Sequence, residues 1–142
     1  MNYTRYVFSA IGLFLFISLY EMLIHDFILM DMYLLTESIW RNFAEMESNI
    51  GLSLCYQLAL SAWSAYIFTQ FYKEGGIKNG LRFGLLLGVF SGILTASWYL
   101  WLPVSVKLGF LWFIFSMGEG IGGGCILALI YRPSGNFLSK SN

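Results

Sequence analysis

The sequence predicts an all-α, polytopic membrane protein: a bundle of four transmembrane helices with a short amphipathic helix in the first, outer loop. Three observations carry that expectation. Hydrophobic residues fill 58% of the 142 positions and charged residues only 11%, with a mean hydropathy of +0.68. A soluble domain needs roughly a quarter of its residues charged. Runs without charge cover residues 48–72, 83–106 and 108–131, the last interrupted only by Glu119, and each supplies the ~20 apolar residues that a bilayer-crossing helix needs. Finally, Gly80, Gly84, Gly88 and Gly92 recur at every fourth position, with Ala96 continuing the stripe. That spacing bares one helix face, so another helix can approach almost backbone to backbone.

Taken in order, the first span is expected over 5–24. Its apolar core exceeds the roughly 7–15 residues of a signal peptide and no small-x-small cleavage site follows it, so it reads as a retained anchor. The first, outer loop, 25–50, holds five of the chain's eight acids: Asp26, Asp31, Glu37, Glu45 and Glu47. Residues 27–35 either extend the first helix or dip into the interface. The loop's second half reads as an amphipathic helix with Thr36 as N-cap, Ile39, Trp40, Phe43 and Met46 on one face, and an Arg41–Glu45 i,i+4 pair. Such a helix seals the bundle at the interface or folds over it as a lid.

The remaining spans are expected over 51–72, 81–102 and 107–131. Pro103 ends the third, and the short turn to Lys107 makes the last two an antiparallel hairpin. Trp98, Tyr99 and Trp101 form an aromatic belt at the outer end, while Tyr3, Tyr6, Phe71, Tyr72 and Tyr131 mark the inner one. Residues 132–142 read as a polar cytoplasmic tail, and 1–142 as one membrane domain without a separate soluble domain. Arg5, Lys73, Lys78, Arg82, Arg132 and Lys140 outnumber Arg41 and Lys107 of the other loops, which places both termini in the cytoplasm. Formal net charge is zero, so no nucleic-acid partner is expected. Cys55 and Cys125 differ in depth by roughly 20 Å and are expected as free thiols.

Glu119 is the leading chemical candidate, since an ionisable group inside a span is costly and functional by default. Helix counting puts Ser61, Ser64, Ser91 and Thr95 at its depth, so an uncharged Glu119 held by these hydroxyls is expected. It serves either as a proton or cation site or as a neutral acid joining helices. The last span answers the glycine stripe with Gly118, Gly120, Gly122 and Gly124, which read as packing residues that meet Gly80, Gly84, Gly88 and Gly92 within the hairpin or across subunits. Glu21 and His25 lie one turn apart beside Asp26. With a single His and no carboxylate-x-x-His repeat, they read as a polar cap, only weakly as metal ligands. A lone His without supporting signs argues against haem. The stretch Lys73-Glu74-Gly75-Gly76-Ile77-Lys78-Asn79-Gly80 lacks Walker spacing and reads as a cytoplasmic turn. Nothing pairs a nucleophile with a base, so no enzyme activity and no cofactor are expected.

Tyr72-Lys73-Glu74-Gly75-Gly76, the run Gly80-Leu81-Arg82-Phe83-Gly84-Leu85-Leu86-Leu87-Gly88, Leu102-Pro103, the glycine-rich last helix and the loop pairs Trp40-Arg41 and Glu45-Met46 carry a likeness. Together they resemble a group of small bacterial integral membrane proteins with four predicted helices and no assigned biochemical role. The resemblance implies the bacterial cytoplasmic (inner) membrane and carries over no catalytic residue. Small multidrug exporters also have four helices and a membrane glutamate, but theirs lies in the first helix. Two functions are therefore expected: a small accessory or structural membrane protein, homo-oligomeric or part of a larger membrane complex, packed through its glycines; or a proton- or cation-coupled carrier of small solutes that uses Glu119.

Overall fold

A computed structural model describes residues 2–72 and 76–131. The expected turn at Lys73, Glu74 and Gly75, the side chain of Phe71 and the tail from Arg132 lie outside the described residues. Every described element is helical, and four helical stretches are long and apolar enough to cross a membrane: Tyr3–Ile28, Ile50–Gln70, Gly76–Leu100 and Val106–Ile130. Helix α1 (Tyr3–Glu21) continues into a π-helical turn, Met22–Ile28. The short α2 (Met30–Leu34) and α3 (Phe43–Ser48) follow, then α4 (Ile50–Phe71), α5 (Gly76–Ser97) and α6 (Val106–Ile130). The first span thus runs four residues past its expected end, and α5 begins five residues early. Gly76 opens α5 with φ +52°, a conformation that glycine adopts at no steric cost. Ser105 caps α6, its hydroxyl accepting from the Leu108 N–H at 3.2 Å.

The long helices pack in the order α4, α1, α6, α5. At the end that carries the chain's N-terminus, Phe68 draws α4 toward the hairpin. Its ring lies 5.1 Å from Tyr72, 5.1 Å from Phe83 and 6.4 Å from Tyr131, and it is almost fully buried. Two polar bonds fasten α1 to α4: Ser18 Oγ donates to Gln57 Oε1 at 2.8 Å, and the Tyr6 hydroxyl donates to the Ala62 carbonyl at 3.2 Å. Between helices in an apolar surrounding, such bonds contribute about 0.6–2 kcal/mol each.

The α5–α6 contact is the closest in the molecule. A Cβ added to Gly80 or Gly84 would run into the carbonyl of Gly124 or Gly120, and the reverse substitutions would strike the carbonyls of Gly80 and Gly84. Farther along, a Cβ at Gly88 would lie 2.9 Å from Met117 Cα, and one at Gly92 2.9 Å from the Phe113 carbonyl. The two glycine stripes therefore meet within one chain. Gly118 and Gly122 face elsewhere, against Tyr20 and Phe16 of α1, so α6 offers one glycine face to each neighbour.

The expected amphipathic helix after Thr36 does not form as one piece. A 3-10 turn covers Glu37–Ile39, Trp40 is extended (φ −94°, ψ 155°), and α3 starts only at Phe43. Local side-chain bonds explain the break. The Trp40 indole donates to Thr36 Oγ1 at 3.0 Å, so that oxygen does not cap a helix, while Asn42 Oδ1 accepts from the Glu45 N–H at 2.9 Å and caps α3 instead. Arg41 is left outside the helix, and the i,i+4 pair with Glu45 is lost. Phe43 and Met46 remain exposed.

Gly84→Ala places its methyl against backbone that has no side-chain freedom to yield, and is expected to destabilise the chain by about 1–3 kcal/mol. At Gly51 an added Cβ meets nothing within 4 Å, so Gly51→Ala should be neutral or stabilise by up to about 1 kcal/mol. Thermal unfolding of both variants in detergent checks this; equal midpoints would remove the close-packing explanation.

Candidate functional site

The site begins where α1 changes pitch. In the π-helical turn the Leu29 N–H donates to the Ile24 carbonyl at 2.8 Å, five residues back. Positions five apart then share a face, and both Ile24 and Leu29 are buried against Leu108. Just before and within this wider turn, His25 Nε2 lies 3.1 Å from Glu21 Oε2. Turns of this kind recur at functional sites.

Glu119 joins the pair from α6. Side chains lean toward the N-terminus of their own helix. The paired contacts Phe16–Gly122 and Tyr20–Gly118 show α1 and α6 running antiparallel, so Glu21 and Glu119 lean toward each other. Their carboxyl groups are in hydrogen-bonding contact, and His25 is close enough to act on Glu119 as well. Carboxylates only accept hydrogen bonds, so a bond between two carboxyl groups holds a proton. Tyr20 lines the same place. Its hydroxyl donates to the Phe115 carbonyl at 2.9 Å and occupies the space a Cβ of Gly118 would need.

On the other side of His25 stands Tyr33 of α2. The Tyr33 hydroxyl lies 2.5 Å from His25 Nδ1 and accepts from the Trp112 indole N–H at 2.8 Å. The His25 and Tyr33 rings are stacked with centroids 5.6 Å apart, and Trp40 packs edge-on to Tyr33 at 5.4 Å. Burial pushes the Tyr33 phenol above its ordinary value of 10.0; the Trp112 bond works against this and the charge of Glu21 adds to it. Glu21 and His25 keep 42% and 37% of their side-chain surface open, so the row is accessible at this end of the bundle.

The sequence expectation for Glu119 needs correction. No described hydrogen bond links it to Ser61, Ser64, Ser91 or Thr95. Ser61 donates to the Gln57 carbonyl at 2.8 Å, Ser91 to the Gly88 carbonyl at 3.2 Å, and Thr95 to the Gly92 carbonyl at 3.2 Å while also meeting Ser116 Oγ at 3.2 Å. Mid-helix hydroxyls turn back on their own helix, and Ser61 and Ser64 belong to α4, which packs on α1 rather than beside α6. The grouping of Glu21, His25 and Asp26 also changes. Glu21 and His25 are joined, whereas Asp26 is exposed and makes no described contact with them. Tyr33 and Trp112 were missed altogether. The antiparallel lean of two glutamates was legible in principle, but only once α1 and α6 were known to be neighbours.

Among the described residues no three His, Cys, Asp or Glu side chains are arranged to hold a metal ion, and Cys55 and Cys125 are free thiols. The chain matches no protein-family model, no curated protein and no solved structure.

The raised Tyr33 group fixes a pH dependence. Above pH 10 the unfolded chain releases this proton first, so the native state binds more protons and its stability falls as pH rises. Below that range both states keep the proton and the group has no effect. Thermal unfolding between about pH 9 and pH 11 should show a steeper alkaline loss for the wild type than for Tyr33→Phe. Parallel curves would contradict the burial of this phenol.

Proposed function

We propose that this chain is a small carrier of the bacterial cytoplasmic membrane that binds and releases a proton at Glu119, coupled to movement of a cation or small solute. One observation carries the reading. Glu119, Glu21 and His25 form a continuous row of exchangeable groups from the middle of α6 toward the end of the bundle that bears residues 29–49. Ionisable side chains within a span mark ion pathways and proton relays more often than they mark packing. The excess of Lys and Arg on the opposite side supports placing this end outward and both termini in the cytoplasm, so the row would take its proton from outside. Acid, imidazole and phenol exchange protons between neighbouring atoms without net displacement of the helices.

A second reading, an accessory subunit that packs against a copy of itself or against a larger membrane complex, is favoured by α4. Tyr56 and Trp63 are exposed there, about 6 Å and about 5 Å from the centre of their span by helical rise. At that depth a hydroxyl or indole N–H gains from a protein partner. The glycine stripes cannot make this contact, because they already face each other or α1. Native mass spectrometry of gently extracted protein separates the readings: a different protein in constant company would favour the accessory subunit.

For the carrier, proteoliposomes with an entrapped pH dye under an imposed potassium-diffusion potential should show proton entry. Glu119→Gln keeps the hydrogen-bonding shape but cannot release a proton, and should reduce the flux at least about tenfold. Equal flux from wild type and Glu119→Gln would sink the carrier reading.

A further inference from the structure

The hydrogen-bond partners around His25 favour one arrangement of protons. Trp112 Nε1 only donates, so the Tyr33 oxygen accepts from it. Tyr33 keeps its own proton through neutral pH, because burial holds the phenol in its neutral form, and Nδ1 is the acceptor at 2.5 Å. A neutral imidazole carries one proton, so Nε2 holds it and donates to Glu21 at 3.1 Å. The indole, the phenol, the imidazole and Glu21 are thus bonded in one direction, toward Glu119.

We infer that Tyr33, held by Trp112, is a positioning residue that fixes the His25 tautomer and latches α2 onto the bundle, and that a second proton on His25 opens the latch. The inference rests on the carrier reading for its purpose, though not for its geometry. With both ring nitrogens protonated, Nδ1 becomes a donor. The Tyr33 hydroxyl proton then loses its acceptor, while its oxygen faces two donors, Trp112 Nε1 and His25 Nδ1. The oxygen's lone pairs can take both donors, but the hydroxyl proton then has no acceptor among its described partners. The charged and titratable groups facing His25 are Glu21 from α1, Glu119 from α6 and Tyr33 from α2. Glu21 accepts from Nε2 as before, so the conflict falls on Tyr33, the one partner carried by the loop. The same proton that enters the row therefore loosens the segment covering its mouth. Leu29, fully buried and five residues from the buried Ile24, anchors the near end of that segment, and motion is confined to α2 and the residues after it.

The chain has a single histidine, so labelling with [15N]histidine reports this imidazole alone. In lipid nanodiscs near neutral pH the wild type should show Nε2 protonated and Nδ1 as a strong acceptor, and Tyr33→Phe should show mixed tautomers. A protonated Nδ1 in the neutral wild type, or an unchanged spectrum in Tyr33→Phe, would overturn the assignment; the wild-type spectrum decides even where the variant does not fold. Loop opening is read by amide hydrogen exchange at residues 30–36, corrected for intrinsic rates. Acidification from about pH 8 to about pH 5 should speed exchange about tenfold in the wild type, the equivalent of one lost hydrogen bond. His25→Gln accepts from Tyr33 and donates to Glu21 but does not titrate, so its exchange should not respond. A response equal to that of the wild type would overturn the latch. Because neither readout needs transport, a fixed tautomer together with absent proton flux would reject the carrier reading and leave the latch standing.

Discussion

Everything else in this fold depends on how closely α5 and α6 approach. Gly80, Gly84, Gly120 and Gly124 bring the two backbones so near that each glycine's missing Cβ is filled by a carbonyl of the other helix. In hydrocarbon the hydrophobic effect does not drive helices together, so attraction comes from dispersion between closely packed surfaces and from short polar contacts. The glycines make that contact possible and also fix its register. With α5 tied to one face, the Gly118 and Gly122 face of α6 is left for α1, and α4 packs on α1 with Phe68 reaching the hairpin.

The same constraint orients Glu119. It sits between Gly118 and Gly120, turned about 100° from each by helical geometry. One of these neighbours looks toward α1 and the other toward α5. The carboxyl therefore opens into the space between the two helices, and its lean toward the α6 N-terminus carries it to Glu21. Had the Gly118 and Gly122 face been bulkier, α1 would sit farther out and the two acids would be separated. Packing and chemistry are thus coupled through adjacent positions of one helix.

The π-helical turn has a comparable double effect. By adding a residue to the turn it puts Ile24 and Leu29 on one buried face and at the same time keeps His25 beside Glu21. Leu29 then marks where the chain turns back, so that Tyr33 returns over the imidazole. The short helices beyond it are held by local side-chain bonds such as Trp40 to Thr36 and by few buried apolar contacts. Segments held in this way open at lower free energy than the long helices.

Composition and the uncharged runs were enough to give an all-helical chain with four helices long and apolar enough to cross a bilayer, because length and polarity leave a local signature in sequence. The four-residue glycine period likewise announced a helix face built for close approach. Neither could say which face would meet it, since Gly118, Gly120, Gly122 and Gly124 read alike until α1 and α5 are placed on opposite sides of α6. Depth counting put Glu119 level with Ser61, Ser64, Ser91 and Thr95, yet depth carries no information about azimuth, and those hydroxyls bond to their own helices. The amphipathic reading of residues 36–46 failed because periodicity does not register side-chain bonds such as those of Trp40 and Asn42 that stop a helix. What the tertiary structure alone decided is the row from Glu119 through Glu21 and His25 to Tyr33 and Trp112. Its members come from the end of α1, the adjoining α2 and the distant α6, and only the packing of α6 on α1 brings their side chains within reach.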